Sequence, residues 1–349
     1  MAMMVSIEIE KSPSGEKTPA TKPQRQRSRR RDSSHRNMHG KPTHPLKAVI
    51  PPSILPEAVL HPDHEQIDRH VMTYLANTWE WPSEKHKQAF ISWKLSEVVL
   101  FMFPTGEAER VKLACELLLL GFLMDDYFDK NTLSTNASIV SSLHSLSTSP
   151  EMTVPVTTID SMHAGLFAKF LTYPNSAPIL EAYLAMLDCH CVPSRGPSSL
   201  SSLKEYLVFR ETDVGMPICV ELLYWTDPAL AGITADEKRM LRPLEKLANY
   251  HVSILNDVFS FEREWEAAEM NGEEGGALVN GVAVLAGEVG IGVEAARGLC
   301  VRLVRVWEGE FVRLKGEMLV EGRLRRAVEG IERRMSGAEA FSWRTGRYL

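Results

Sequence analysis

The amino-acid sequence predicts an all-α protein, with one helical domain spanning residues 46–349 behind a disordered basic N-terminal arm, residues 1–45. Three observations predict it. From about residue 64 onward, apolar side chains recur at intervals of three and four, the mark of helices that bury one face. Sustained alternation at period two is nowhere found, so no strand is required. Residues 1–45 are rich in Ser, Pro, Arg and Lys and carry almost no large apolar group, too little to bury for a fold.

The elements follow in order. Arg25–Arg36 is the most basic run of the arm. A solvated tail is its simplest reading, and a nuclear address, a transit-like segment or a phosphate-binding arm are the functional ones. Pro42, Pro45, Pro51, Pro52 and Pro56 form an extended lead-in. Ile67, Val71, Tyr74 and Leu75 give the first helical face, and Phe90, Trp93, Leu95, Val98 and Val99 the next. Val111 to Met124 is apolar nearly all round, which places that helix at the centre of a bundle. The Ser/Thr-rich stretch from about 131 to 156 reads as a long connection around a short helix. Helical patterns return at about 158–172, 176–192, 199–226, 235–268, 291–320 and 322–336, and Asn271-Gly272-Glu273-Glu274-Gly275-Gly276 is a turn-rich break.

Charge and cysteine usage narrow the function classes. Residues 1–47 carry 11 Lys/Arg against 4 Asp/Glu, which leaves 28 basic and 41 acidic residues in the rest. An acidic body argues against nucleic acid as the main partner, because backbone phosphates need a basic surface. Five cysteines (Cys115, Cys189, Cys191, Cys219 and Cys300) are odd in number and irregularly spaced, as in a reduced cytoplasmic protein. The Cys189-His190-Cys191 triplet lacks a second Cys/His pair at metal-ligand spacing, so it is not expected to bind zinc. No apolar run reaches the ~18 residues of a membrane span, and none near Met1 reads as a secretory signal. The sequon at Asn136-Ala137-Ser138 is therefore incidental. A monomer and a homodimer are equally compatible with the sequence.

Two polar clusters interrupt apolar helical stretches. The first is Asp125-Asp126-Tyr127-Phe128-Asp129, at the end of the Val111–Met124 run. Asp125 and Asp129 fall one turn apart on one face, while Asp126 points about 100° away and suits a supporting role. Carboxylates there cost several kcal/mol if desolvated and unpaired, so they must meet water, a cation or a basic partner. The second runs from Asn256 to Glu264. Its Asn256, Ser260 and Glu264 stand at i, i+4 and i+8, a polar stripe between Ile254, Leu255, Val258, Phe259 and Phe261. An amide, a hydroxyl and carboxylates are hard oxygen donors of the kind Mg²⁺ accepts, with waters or phosphate oxygens completing its shell. Arg210 precedes the second cluster and an Arg347-Tyr348 pair follows it, and guanidinium suits phosphate because it is planar and permanently charged.

These residues resemble the class I terpene cyclases, particularly the microbial and fungal sesquiterpene synthases. Asp125-Asp126-Tyr127-Phe128-Asp129 is similar to their DDxxD motif, and Asn256, Ser260 and Glu264 to the second metal motif. Arg263 stands where the family usually has a basic residue that contacts diphosphate. Arg210 lies at the interval of its pyrophosphate-sensing arginine, and Asp213 at its acidic linker. Val214 stands where many relatives have glycine, with Gly215 after it, in the segment whose carbonyl acts on the substrate. Arg347-Tyr348 matches the C-terminal pair that closes over diphosphate. The resemblance covers roughly residues 60–349 and makes residues 46–349 the catalytic domain.

The resemblance implies a single-domain helical bundle around a central apolar cavity and three Mg²⁺ ions. The substrate implied is farnesyl diphosphate, ionised and cyclised to a sesquiterpene hydrocarbon or alcohol with release of diphosphate. Geranyl or geranylgeranyl diphosphate is the alternative. A chain-elongating prenyltransferase would carry a second Asp-rich motif where Asn256–Glu264 stands, and a non-catalytic relative would have no reason to keep the full set. Phe122, one turn before Asp125, and Trp343, placed one turn before Arg347, are candidates for aromatic faces toward a carbocation. Trp93, Phe101 and Trp225 read more simply as core.

Overall fold

The computed structural model describes residues 50–148, 153–192, 200–271, 278–318 and 320–348. The basic arm and most of the glycine-rich break at 271–276 lie outside the described residues. Among those described there are thirteen α-helices and no strand. In chain order they are α1 (His64–Thr78), α2 (Glu84–Trp93), α3 (Ser96–Met102), α4 (Ala108–Phe128), α5 (Leu133–Thr148), α6 (Thr158–Leu171) and α7 (Ala177–Asp188). They continue with α8 (Leu203–Asp213), α9 (Met216–Thr226), α10 (Ala235–Asn271), α11 (Gly281–Val289), α12 (Val293–Glu317) and α13 (Gly322–Arg344).

The central position of α4 follows from its sequence. A helix with no polar stripe cannot face water, and α4 buries Val111, Leu117, Leu120 and Met124 among α1, α3, α6, α7 and α9. Each such side chain contributes about 1.5–3 kcal/mol by leaving water. A second apolar cluster gathers Tyr206, Ile254, Val258, Phe259, Val282 and Val301 where α8, α10, α11 and α12 meet. The long α10 packs on α12 and α13, and α13 crosses α3. That crossing is close: a Cβ on Gly337 would stand 2.8 Å from the backbone carbonyl of Phe101.

Local chemistry sets the helix ends. Thr157 and Asp160 form a reciprocal capping box at the start of α6, with both bonds at 3.0 Å. Behind it, buried His163 bridges α6 and α7. Its Nδ1 lies 2.7 Å from the Ile159 carbonyl, to which it donates, so Nε2 accepts from the Tyr183 hydroxyl at 2.9 Å. The lead-in before α1 is tied to α12. Arg305 donates to the Pro51 carbonyl and to Glu339, and Glu308 accepts from the Ile54 amide and from His251.

Three sequence expectations are corrected. The 131–156 connection contains a sixteen-residue helix, α5, because Asn136, Val140, Leu143 and Leu146 share one buried face despite the Ser/Thr-rich composition. The 199–226 pattern is not continuous. It breaks at Val214–Gly215, where Gly215 takes φ +78°, a left-handed conformation that favours glycine. The last helix runs to Arg344 rather than 336, and Thr345 then leaves it with ψ 138°.

Candidate active site

The first cluster sits where α4 ends. Asp125 and Asp129 line a cavity between α4 and α10, with Asp129 as the residue that caps α4. Asp126, off that face, is gripped by two arginines. Arg347 donates to both its oxygens, at 2.9 and 3.1 Å, and Arg263 donates at 3.3 Å. Burial alone would raise the Asp126 carboxyl, but the charges and hydrogen bonds of Arg347 and then Arg263 overcome it and hold the group at about 2. The Arg347 guanidinium also lies over the rings of Trp93 and Phe122, at 5.0 and 5.5 Å.

On α10 the stripe faces the same cavity, which Asn256, Ser260 and Glu264 line together with Arg263. Each has a fixed partner. Asn256 accepts from Arg210 Nη2 at 3.1 Å and donates to the Tyr348 hydroxyl at 2.7 Å, joining α8, α10 and the C-terminal turn. Ser260 Oγ donates to the Asn256 carbonyl at 2.8 Å. Glu264 accepts from Asn280 Nδ2 at 2.8 Å, while the Asn280 carbonyl oxygen of the side chain caps α11 by accepting from Val282 N.

Beneath the stripe, Asp257 is fully buried and anchors Arg210. It accepts from Arg210 Nη2 at 2.9 Å, from the Tyr206 hydroxyl at 2.6 Å and from the Gly281 amide at 2.9 Å. The close approach requires glycine: a Cβ at 281 would lie 2.9 Å from Asp257 Oδ2. Burial works against the Arg210 charge, but Tyr206, Asp257 and Asp213 more than offset it, so the guanidinium stays protonated. Arg210 donates to Asp213 as well, and Asp213, Val214 and Gly215 line the cavity at the α8–α9 break.

The cavity thus gathers Arg210, Asp213, Val214, Arg347, Tyr348, Arg263, Phe122 and all five oxygen-donor positions. Trp343 is not brought in. It packs edge-on against Phe259, centroids 4.7 Å apart, because the chain turns extended at Thr345 and helical spacing does not carry from 343 to 347. Trp225 stacks on Phe170 and Phe101 is buried beside α13, both as core. Sequence reasoning missed Tyr206, Asn280 and His190. The last lines the cavity with Nε2 3.6 Å from Asp125 Oδ1.

The donor set suits a divalent cation: oxygen donors from two facing helices, with an imidazole beside one of them, around a single cavity. It suits a polyanion equally. Arg210 Nε and Arg263 Nε are buried and have no hydrogen-bond partner among the described residues, a state that costs energy until an acceptor arrives. The remaining wall is apolar, with Leu118, Phe122, Met186, Leu278 and Val279.

Comparison with known proteins agrees with this geometry. Residues 116–308 match the family described as terpene synthase family 2, C-terminal metal binding. The chain is 30% identical over 309 residues to (+)-aristolochene synthase TS1 of Penicillium expansum, covering 86% of this chain and 91% of that protein. It is 28% identical to aristolochene synthase of Aspergillus terreus, over 86% and 95% of the two chains. The fold matches the crystal structure of aristolochene synthase from Penicillium roqueforti with TM-score 0.72 at 24% identity, over 84% of this chain and 98% of that one. The chain belongs to the class I terpene cyclases, within terpene synthase family 2. As an enzyme it is a lyase, a sesquiterpene synthase. No helix among the described residues is long and apolar enough to cross a membrane.

Proposed function

We propose that the protein converts farnesyl diphosphate to a cyclic sesquiterpene hydrocarbon or alcohol, with Mg²⁺ as its cation. The observation that carries this is the convergence of Asp125 and Asp129 of α4 with Asn256, Ser260 and Glu264 of α10 on one cavity that also holds Arg210, Arg263, Arg347 and Tyr348. Asp125 and Asp129 would hold metal from one side and the α10 stripe from the other, three ions in all by family resemblance. Bound there, Mg²⁺ would stabilise the charge developing on the departing diphosphate.

The chain's own residues do the rest. Arg210, Arg263, Arg347 and Tyr348, which line the cavity, donate to diphosphate oxygens. Asp213 and Asp257 hold Arg210 in place, so the guanidinium need not reorganise as charge develops. We assign the backbone at Val214, a residue that lines the cavity at the helix break, to the ionised chain. Leu118, Met186, Leu278 and Val279 keep water from the carbocation, and the Phe122 face stabilises it by about 0.5–2 kcal/mol.

Product analysis by gas chromatography–mass spectrometry tests the reading. Purified protein is incubated with farnesyl, geranyl or geranylgeranyl diphosphate, with Mg²⁺ and with EDTA. The expected result is a cyclic fifteen-carbon product from farnesyl diphosphate with Mg²⁺ alone. Turnover only of another chain length overturns the substrate, and turnover in EDTA overturns the cation.

A further inference from the structure

The mechanism above uses oxygen donors alone, yet a nitrogen stands among them. His190 lies on the short turn Cys189–Cys191 after α7, is 3% exposed and lines the cavity. Its Nε2 is 3.6 Å from Asp125 Oδ1, too far for a good hydrogen bond. A ring nitrogen of His190 and one carboxylate oxygen each of Asp125 and Asp129 all lie within 4.8 Å of one another. Donors bound to one ion at about 2.0–2.2 Å stand roughly 3–4 Å apart, so the triangle is within about an ångström of chelating size.

The turn that carries the imidazole is also fastened to the end of α4. Asn136, 1% exposed on α5, donates to the Phe128 carbonyl at 3.2 Å and the His190 carbonyl at 3.3 Å, fastening the turn to the end of α4. The Phe128 ring packs against the imidazole with centroids 5.3 Å apart. A donor fixed by its own supports is what a preorganised site requires.

We propose that His190 is a third protein donor, through a ring nitrogen, to the cation held by Asp125 and Asp129. The inference rests on the metal assignment made under the proposed function. Imidazole is a better ligand for borderline transition ions than for Mg²⁺. His190 therefore strengthens this position for Co²⁺, Fe²⁺ or Zn²⁺ more than for Mg²⁺.

Pulsed electron paramagnetic resonance on the full-length protein, loaded with Mn²⁺ in the presence of inorganic pyrophosphate, reads the donor directly. The expected spectrum contains ¹⁴N hyperfine coupling from an imidazole, lost in His190→Gln. Calorimetric titration of the same pair should show Co²⁺ affinity falling by about tenfold or more, with a smaller change for Mg²⁺. Bound Mn²⁺ coupled to phosphorus and water protons but not to nitrogen overturns the role of His190 and leaves the metal assignment standing. Mn²⁺ that does not bind, or whose binding is unchanged by Asp125→Asn, overturns both. The wild-type spectrum decides even where the variant folds poorly.

Discussion

Replacing Asp126 by Asn removes the charge that Arg263 and Arg347 share while keeping the side chain's size. Its carboxyl falls from 3.8 to about 2 on folding. At about 1.4 kcal/mol per unit, that difference contributes about 2 kcal/mol of stability at neutral pH. Its side chain is 25% exposed, so screening trims the figure without removing it. Because the folded value is depressed, the contribution is complete above 3.8 and is lost as the pH falls toward 2. Urea unfolding at pH 7 should place Asp126→Asn about 2 kcal/mol below the wild type, and the gap should close as the pH approaches 2. Amide exchange over residues 345–348 should quicken in the variant, since Arg347 fastens that turn. Equal stabilities at pH 7, or a gap that persists on acidification, would refute the reasoning.

Other consequences can be tested alongside. Asn256→Ala and Glu264→Ala should each abolish Mg²⁺-dependent turnover while far-ultraviolet circular dichroism stays helical; a variant that retains turnover is evidence against the α10 stripe as a metal site. Burial lowers His163 from 6.5 to about 4, against the opposing pull of the Ile159 carbonyl and Asp160, so stability present above 6.5 should be lost as the pH falls toward 4. The loss is about 3 kcal/mol and should be missing from His163→Gln when urea midpoints are compared at pH 7.5 and pH 4. Gly337→Ala presses a methyl group onto the Phe101 backbone, which cannot rotate away, and should cost about 1–3 kcal/mol, read as a lower melting temperature.

Much of the candidate site's layout is legible because it is built from helical spacing. Asn256, Ser260 and Glu264 share a face whatever the tertiary structure, and so do Asp125 and Asp129. What spacing cannot convey is which distant residue answers each group. Asp126 meets Arg347 across a separation of 221 positions, and Asp257 meets Tyr206 across 51. In the sequence His190 stands in a Cys-flanked triplet, and no second Cys/His pair follows at metal-ligand spacing; its neighbour Asp125 arrives only through packing of α4 on α7. The Ser/Thr-rich composition makes α5 read as shorter than its 16 residues, although Val140, Leu143 and Leu146 carry its period. Trp343 failed for the converse reason, since helical spacing was extended past the point where the helix ends.

Asn280 has an evolutionary consequence. Helix starts ordinarily accept Ser, Thr, Asp or Asn almost interchangeably. Here the oxygen of one amide caps α11 while its nitrogen serves Glu264, 16 residues back along the chain. Asp at this position would set a second carboxylate against Glu264, and Ser would cap the helix but lack the amide donor. Position 280 is therefore confined to a single residue type for as long as 264 is glutamate. The two sites should change together or not at all among descendants of this enzyme.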